Sequence, residues 1–81
     1  MFIFDGKGIT TMFNGIDLLT LRESRRLTRS ALSQRAGISA STLGRLESGL
    51  SVPSIETLVK LANSMGVPLK KLLFKVGILH R

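Results

Sequence analysis

Cysteine, tryptophan and tyrosine are all absent from this chain. The lack of cysteine excludes disulfide bonds and thiolate metal sites as sources of stability. Because the aromatic residues are four phenylalanines, the core of any folded domain must be mainly aliphatic. The length of 81 residues suits one domain, close to the size at which a single apolar core only just outweighs chain entropy. All-helical packing is the economical solution at that size.

Acidic residues are scarce. The chain has 5 aspartates and glutamates against 12 lysines and arginines, which gives a net charge of +7 and a pI near 11.3. Such a charge predicts binding to polyanions, of which nucleic acid is the commonest and a membrane surface is the rival. The acids have no catalytic or metal-ligand spacing, and the single histidine is His80, so we expect no enzyme, metal or cofactor.

Long apolar runs are also lacking. No uncharged stretch approaches the ~18 residues of a transmembrane helix. The first residues, MFIFD, have neither the basic nor the apolar region of a signal peptide. We therefore expect a cytoplasmic protein that does not insert into a membrane.

The most informative stretch is 28–49, TRSALSQRAGISASTLGRLESG. Leu32 and Ala36 lie four residues apart with the small Ser33 beside them, so one helix face is narrow enough for close crossing. Gly37 stops this helix, because glycine reaches the left-handed conformation without steric cost, and Ser39 is a good N-cap for a second helix.

The second helix of this stretch has two different sides. Leu43, Leu46 and Glu47 fall on one side, which we expect to face a core. The other side carries small and polar groups and one arginine: Ala40, Ser41, Gly44, Arg45 and Ser48. A helix that enters a DNA groove and then makes one directed contact has this composition, so the pattern predicts a helix-turn-helix.

The stretch resembles the Cro and phage-repressor class of helix-turn-helix regulators, the XRE-like family, over residues 15–74. The matching positions are Leu27, Thr28, Leu32, Gly37, Ile38, Ser39, Glu47, Gly49, Pro53 and Ser54. Two positions depart from the family pattern: Arg29 replaces the usual glutamine and Ser33 the usual alanine.

The resemblance implies an all-α fold, a compact five-helix bundle of the phage-repressor DNA-binding type. The expected divisions are a flexible or extended N-terminal arm over 1–13, the DNA-binding domain over 14–74 and a C-terminal extension over 75–81. The implied function is that of a transcriptional regulator, a repressor that binds double-stranded DNA at a palindromic operator as a homodimer. The alternative is a DNA-binding antitoxin, or an interaction module that binds a toxin or other protein.

Candidate DNA contacts divide into two groups. Arg45 is expected to read a base, because its guanidinium can donate two hydrogen bonds to one guanine; a solvated arginine or a phosphate contact is the alternative. The remaining base-reading candidates are Ala40, Ser41, Thr42 and Gly44. Gly44 would allow close backbone approach to DNA, or it is simply tolerated. The phosphate-binding candidates are Arg29, Ser30, Ser39, Ser48, Ser51 and Ser54.

Glu47 is expected to have a structural role. The family pairs the corresponding glutamate with an arginine of the first helix, and Arg22 is the matching position here. The alternative is an exposed Glu47 that only flanks the turn.

Helices outside the motif follow from their apolar positions. Asn14 is expected to cap a first helix in a capping box with Asp17; its apolar positions are Ile16, Leu18, Leu19, Leu21 and Leu27. A fourth helix is predicted over Ile55–Met65, with Ile55, Leu58, Val59, Ala62 and Met65 facing the core. Val67 and Pro68 restart a short fifth helix, and the last residues, FKVGILHR, form a strand or a frayed end.

The C-terminal end has more apolar side chains than a four-helix core needs. We expect these side chains to form the dimer interface: Leu69, Leu72, Leu73, Phe74, Val76 and Ile78. The alternative is that they fold back onto the same chain, against Phe2 and Phe4.

Overall fold

The computed structural model describes residues 2–4 and 10–79, with side-chain placement from residue 13 onward. Within this part of the chain, two short strands precede five helices. The elements are β1 (Phe2–Phe4), β2 (Thr10–Met12), α1 (Gly15–Ser24), α2 (Arg29–Ala36), α3 (Ala40–Glu47), α4 (Ile55–Met65) and α5 (Leu69–Lys75). The predicted all-α, five-helix domain is therefore confirmed.

The described parts of the segment before Phe13 are two short strands. Strands β1 and β2 pair antiparallel, with Ile3 opposite Thr11. Phe13, the last residue assigned to the arm, is fully buried in the core of the helical domain. The expected contacts of the Phe2 and Phe4 side chains lie outside the described side chains.

Helix α1 begins as predicted but ends earlier. The Asn14 side chain accepts hydrogen bonds from the backbone N–H groups of Ile16 and Asp17, at 3.0 and 3.4 Å. The Asn14 N–H donates to the Val76 carbonyl at 2.8 Å, so the reciprocal half of a capping box is absent here. The helix stops because Arg26 adopts a left-handed conformation with φ of 57°, which places Leu27 beyond it.

Ser39 caps α3 as predicted, and Thr28 caps α2, which was not predicted. Thr28 Oγ1 accepts from the Ala31 N–H at 3.0 Å, and Ser39 Oγ accepts from the Thr42 N–H at 2.9 Å. Gly37 lies between the two helices with φ of 70°. A β-carbon there would meet open space, so backbone conformation rather than crowding favours glycine.

The core-facing stripe of α4 differs from the prediction. Its buried residues are Leu58, Leu61, Ala62 and Met65. Ile55 and Val59, predicted to face the core, are 63% and 37% exposed. Ile16 of α1 is likewise exposed. The two α4 assignments are wrong because α4 packs on both α2 and α5, and this packing buries Leu61 in place of Ile55 and Val59. Ile16 is exposed because α1 buries Gly15, Leu18 and Arg22 instead.

The C-terminal end largely folds back onto the domain. Leu72 and Val76 are fully buried in the core, and Leu69, Leu73 and Ile78 pack against it. Leu72 and Val76 therefore cannot face a second copy as predicted, because the chain's own core covers them. After α5 the described residues form a turn and bends up to Leu79. The strand interpretation is wrong there.

Candidate nucleic-acid interface

Helix α3 is anchored by one face and exposed by the other. It packs on α1 and α2, with Leu43, Leu46 and Glu47 buried. The opposite face is exposed at Ala40, Ser41, Thr42, Arg45 and Ser48, and Gly44 is half-buried beside them. The structure thus brings the predicted base-reading residues together on one open surface.

Glu47 lies at the centre of a buried charge cluster. Arg22 Nε donates to Glu47 Oε2 at 2.6 Å, and Arg22 Nη2 donates to Glu47 Oε1 at 3.1 Å. Arg22 Nη1 donates to the Leu27 carbonyl at 2.9 Å. The pair is bidentate, a geometry that gives both direction and strength to an arginine–carboxylate contact. It joins α1 to α3 and to the segment that leads into α2.

The buried polar atoms of this cluster all have hydrogen-bond partners. Among the described side chains, no buried nitrogen or oxygen lacks a hydrogen-bond partner. The hydrogen bonds with Glu47 raise the pKa of Arg22, against the opposing effect of burial. The guanidinium is therefore charged throughout the physiological pH range, and the orientation of α3 does not depend on its titration.

Arg29 also contacts Glu47, which the sequence did not reveal. Arg29 Nε donates to Glu47 Oε1 at 3.3 Å, while the Arg29 side chain is 49% exposed. Its guanidinium lies beside Gly44, since a β-carbon on Gly44 would be 3.5 Å from Arg29 Nη1. The arginine that replaces the family's glutamine therefore lies against α3, with half of its side chain open to solvent.

Arg45 is held by the loop that follows α3. Arg45 Nε donates to Ser51 Oγ at 3.1 Å, and the Arg45 carbonyl accepts from the Leu50 and Ser51 N–H groups at 2.9 and 3.3 Å. Gly49, with φ of 80°, lets the chain turn back for these contacts. The two terminal nitrogens of Arg45 have no hydrogen-bond partner in the part of the chain that the structure describes.

The serines predicted to bind phosphate have local partners. Ser39 and Ser54 cap α3 and α4 through the Thr42 and Thr57 N–H groups. Ser48 Oγ donates to the Arg45 carbonyl at 3.2 Å, and Ser51 accepts from Arg45. Ser30 is exposed in the first turn of α2. The hydroxyls of the other four serines therefore shape the helix ends and the loop around α3.

Gly15 has a packing role that was missed. A β-carbon at this position would lie 2.6 Å from the Glu47 carbonyl oxygen and in closer overlap with the Leu46 carbonyl oxygen. The start of α1 thus approaches the end of α3 more closely than any other residue allows. The sequence marks Gly15 only as a helix start, because this contact partner is distant along the chain.

Among the residues that the structure describes, the aspartates and glutamates form no group of three able to hold a metal ion. The helices described here are also too short or too polar to cross a membrane.

Fold and surface together define a helix-turn-helix domain. Residues 18–72 match the model of the helix-turn-helix family HTH_3. The chain belongs to this family. This agrees with the sequence-based assignment to the XRE-like class and with the prediction that the chain is not an enzyme.

Individual relatives are similar over most of this chain. This chain is 38% identical over 67 residues to the HTH-type transcriptional repressor RghR of Bacillus subtilis. The match covers 82% of this chain and 50% of RghR. This chain therefore spans half the length of that relative.

Solved structures share the same fold. The restriction-modification controller protein C.AhdI from Aeromonas hydrophila superposes with a TM-score of 0.69 at 28% identity, over 72% of this chain and 88% of its own. The master regulator for biofilm formation SinR, solved in complex with DNA, superposes with a TM-score of 0.67 at 30% identity, over 73% of this chain and 95% of its own. SinR is a Bacillus subtilis protein.

Proposed function

We propose that this protein binds double-stranded DNA sequence-specifically and represses transcription, with α3 as the recognition helix in the major groove. The observation that carries the proposal is the exposed face of α3, where small side chains surround Arg45. Small side chains allow a helix to approach base edges closely, and one arginine then supplies a directed contact. The similarity to a repressor and to a regulator solved with DNA supports this function.

Base reading is assigned first to Arg45. The Arg45 Nε donates a hydrogen bond to Ser51 Oγ. Its two terminal nitrogens are therefore available to donate to O6 and N7 of a guanine. Ala40 and the methyl group of Thr42 are proposed to contact thymine methyl groups. Ser41 and Gly44 complete the surface that lies closest to the bases.

Phosphate binding is assigned chiefly to Arg29. Its position in the first turn of α2 is unfavourable for a cation by itself, because the helix dipole is positive there. Glu47 offsets part of that cost, and a phosphate beside the exposed half of the guanidinium would offset the rest. Ser30, Ser39, Ser48, Ser51 and Ser54 are proposed to line the backbone path with their hydroxyls and neighbouring N–H groups.

The protein is proposed to act as a homodimer on a palindromic operator, since one short helix specifies only a few base pairs. With Leu72 and Val76 buried in the monomer, the interface needs another apolar surface. Ile55 and Val59 are exposed one turn apart on α4, beside the Glu56–Lys60 ion pair, whose charges cancel. A nearly neutral apolar stripe is where a chain of charge +7 can meet its own copy with least repulsion.

Selection of bound duplexes from random DNA tests the proposal. At about 0.15 M salt, where screening weakens nonspecific contacts, we expect an enriched inverted repeat with half-site centres about 34 Å apart. Equal binding to selected and random duplexes would overturn sequence-specific regulation and favour the protein-interaction alternative. A selected single half-site without a repeat would overturn only the dimer.

The interface is tested separately by sedimentation on the selected duplex. Val59→Lys should reduce occupancy by a second copy, whereas Ser64→Lys adds the same charge on a different side of α4. Equal effects of the two variants would exclude Val59 from the interface.

A further inference from the structure

The outer face of helix α5 combines an aromatic side chain with three lysines. Lys70 and Phe74 lie one turn apart, as do Lys71 and Lys75, and with Pro68 they line a recess of about 570 Å³. The opposite side of α5 packs on the core through Leu72, with Leu69 and Leu73 beside it. Phe74 is 37% exposed, so one aromatic ring is surrounded by three cations at the surface.

The three lysines are not neutralised locally. The ion pairs found among the described residues involve Glu47 with two arginines, and Glu56 with Lys60. Lys75 shares a neighbouring groove with Asp17 but forms no ion pair with it within the described part of the chain. The outer face of α5 therefore has an unbalanced positive charge around an apolar recess.

We propose that this face binds an acidic peptide segment of a partner protein, with one apolar side chain of that segment in the recess against Phe74 and Pro68. Carboxylates on both sides of the apolar residue would pair with Lys70, Lys71 and Lys75. Because the attraction is between opposite charges, it also favours rapid encounter with an acidic partner.

Three other occupants fit this face less well than an acidic peptide. A second copy docked on this face by a two-fold axis would bring six lysines together, and like charges across an interface are costly. Duplex DNA would satisfy the lysines but has no projecting apolar side chain for the recess. A single-stranded nucleic acid would need an open ring face for stacking, whereas most of the Phe74 surface is covered.

The site is separate from the proposed DNA surface. Helix α5 packs on α4 and α1, while the exposed face of α3 belongs to the α1–α2–α3 side of the domain. A partner on α5 can therefore bind while α3 is on DNA, so this inference does not depend on the proposed operator binding.

The test uses a fluorescent synthetic peptide with a central leucine flanked by glutamates, and a control peptide with serine in place of leucine. At about 0.15 M salt, the leucine peptide should bind about tenfold more tightly, the difference expected from burying one such side chain. Phe74→Ala should abolish that difference. Changing Lys70, Lys71 and Lys75 together to glutamine should weaken both peptides, whereas Lys60→Gln, which removes a paired lysine of α4, should weaken neither.

Amide chemical shifts of the unaltered protein provide a second readout that does not depend on any variant folding. Shifts on adding the leucine peptide should cluster at residues 69–75. Equal affinity for the two peptides, or shifts centred on α3, would overturn the proposal. Phe74-dependent binding of a single-stranded oligonucleotide that displaces the peptide would overturn it in favour of nucleic acid, and a Phe74-dependent homodimer would overturn it in favour of self-association.

Discussion

At the scale of single residues, Glu47 is the side chain that links the three helices around the site. One carboxylate accepts hydrogen bonds from Arg22 of α1 and Arg29 of α2 while lying on α3 itself. The family pattern led to Arg22 and Glu47 as partners. The contact of Arg29 could not be predicted, because a long side chain eighteen positions away reaches Glu47 only when α2 and α3 cross as they do here.

The Arg22–Glu47 pair should be strongly coupled. Glu47→Leu leaves the buried Arg22 without its carboxylate, and Arg22→Met leaves Glu47 with only the half-exposed Arg29. Loss of a buried partner costs ~3–5 kcal/mol of unfolding free energy. The double variant should lose less than the sum of the single losses, as denaturant unfolding would measure. Additive losses would show that the two charges do not stabilise each other.

Two helical glycines should respond oppositely to alanine. Gly15→Ala forces a methyl group into the carbonyls at the end of α3, and such overpacking costs ~1–3 kcal/mol. Gly44→Ala meets only ordinary contact with Arg29, so removing glycine from a helix interior should stabilise by ~1 kcal/mol. Thermal unfolding of the two variants makes the comparison; a stabilised Gly15→Ala would refute the close approach of α1 to α3.

At the scale of elements, helix ends were predictable where a local residue determines them. Gly37 and Gly66 both adopt left-handed conformations and end α2 and α4, as their sequence positions indicate. The end of α1 was not predictable, because Arg26, a residue with no special preference for φ of 57°, takes the same role. Hydrogen bonds between Arg22 and Leu27 hold that turn: the Leu27 N–H donates to the Arg22 carbonyl at 3.3 Å, and Arg22 Nη1 donates to the Leu27 carbonyl at 2.9 Å.

The core-facing side of α4 is a second feature that the sequence alone does not predict. Apolar residues at 55, 58, 59, 62 and 65 and the alternative set at 58, 61, 62 and 65 both have helical spacing. Periodicity alone cannot choose between two overlapping stripes. The positions of α2 and α5 decide, and they bury Leu61.

The observed core-facing side of α4 predicts that shortening Leu61 and shortening Val59 change stability unequally. Leu61→Ala removes a fully buried side chain and should cost ~2–5 kcal/mol. Val59→Ala removes a partly exposed one and should change stability by less than about 1 kcal/mol. Chemical denaturation of both variants provides the test, and a larger loss for Val59→Ala would contradict the observed stripe.

At the scale of the whole molecule, charge and fold were the features best predicted from sequence. The helix-turn-helix follows from contiguous residues, and the net charge needs no structure. The arrangement of the other surfaces was not predictable. Sorting exposed side chains into a neutral stripe on α4 and a basic recess on α5 requires knowing which residues the core has already covered.

The net charge should appear as salt-dependent binding. If Arg29 contacts a phosphate, Arg29→Gln, which restores the family's usual residue, should reduce the slope of log affinity against log salt by about one. Lys70→Gln removes the same charge from α5 and should leave the slope nearly unchanged. Equal slopes for Arg29→Gln and the unaltered protein would remove Arg29 from the DNA contact.

We propose that the exposed face of α3 reads DNA sequence through Arg45. The most direct measurement compares affinities of the unaltered protein and Arg45→Ala for the selected duplex and for duplexes changed at one base pair. The unaltered protein should prefer the selected guanine by ~1–3 kcal/mol, and Arg45→Ala should lose that preference at one position of each half-site while its melting temperature stays nearly constant. An Arg45→Ala variant that still discriminates at every position would contradict the claim.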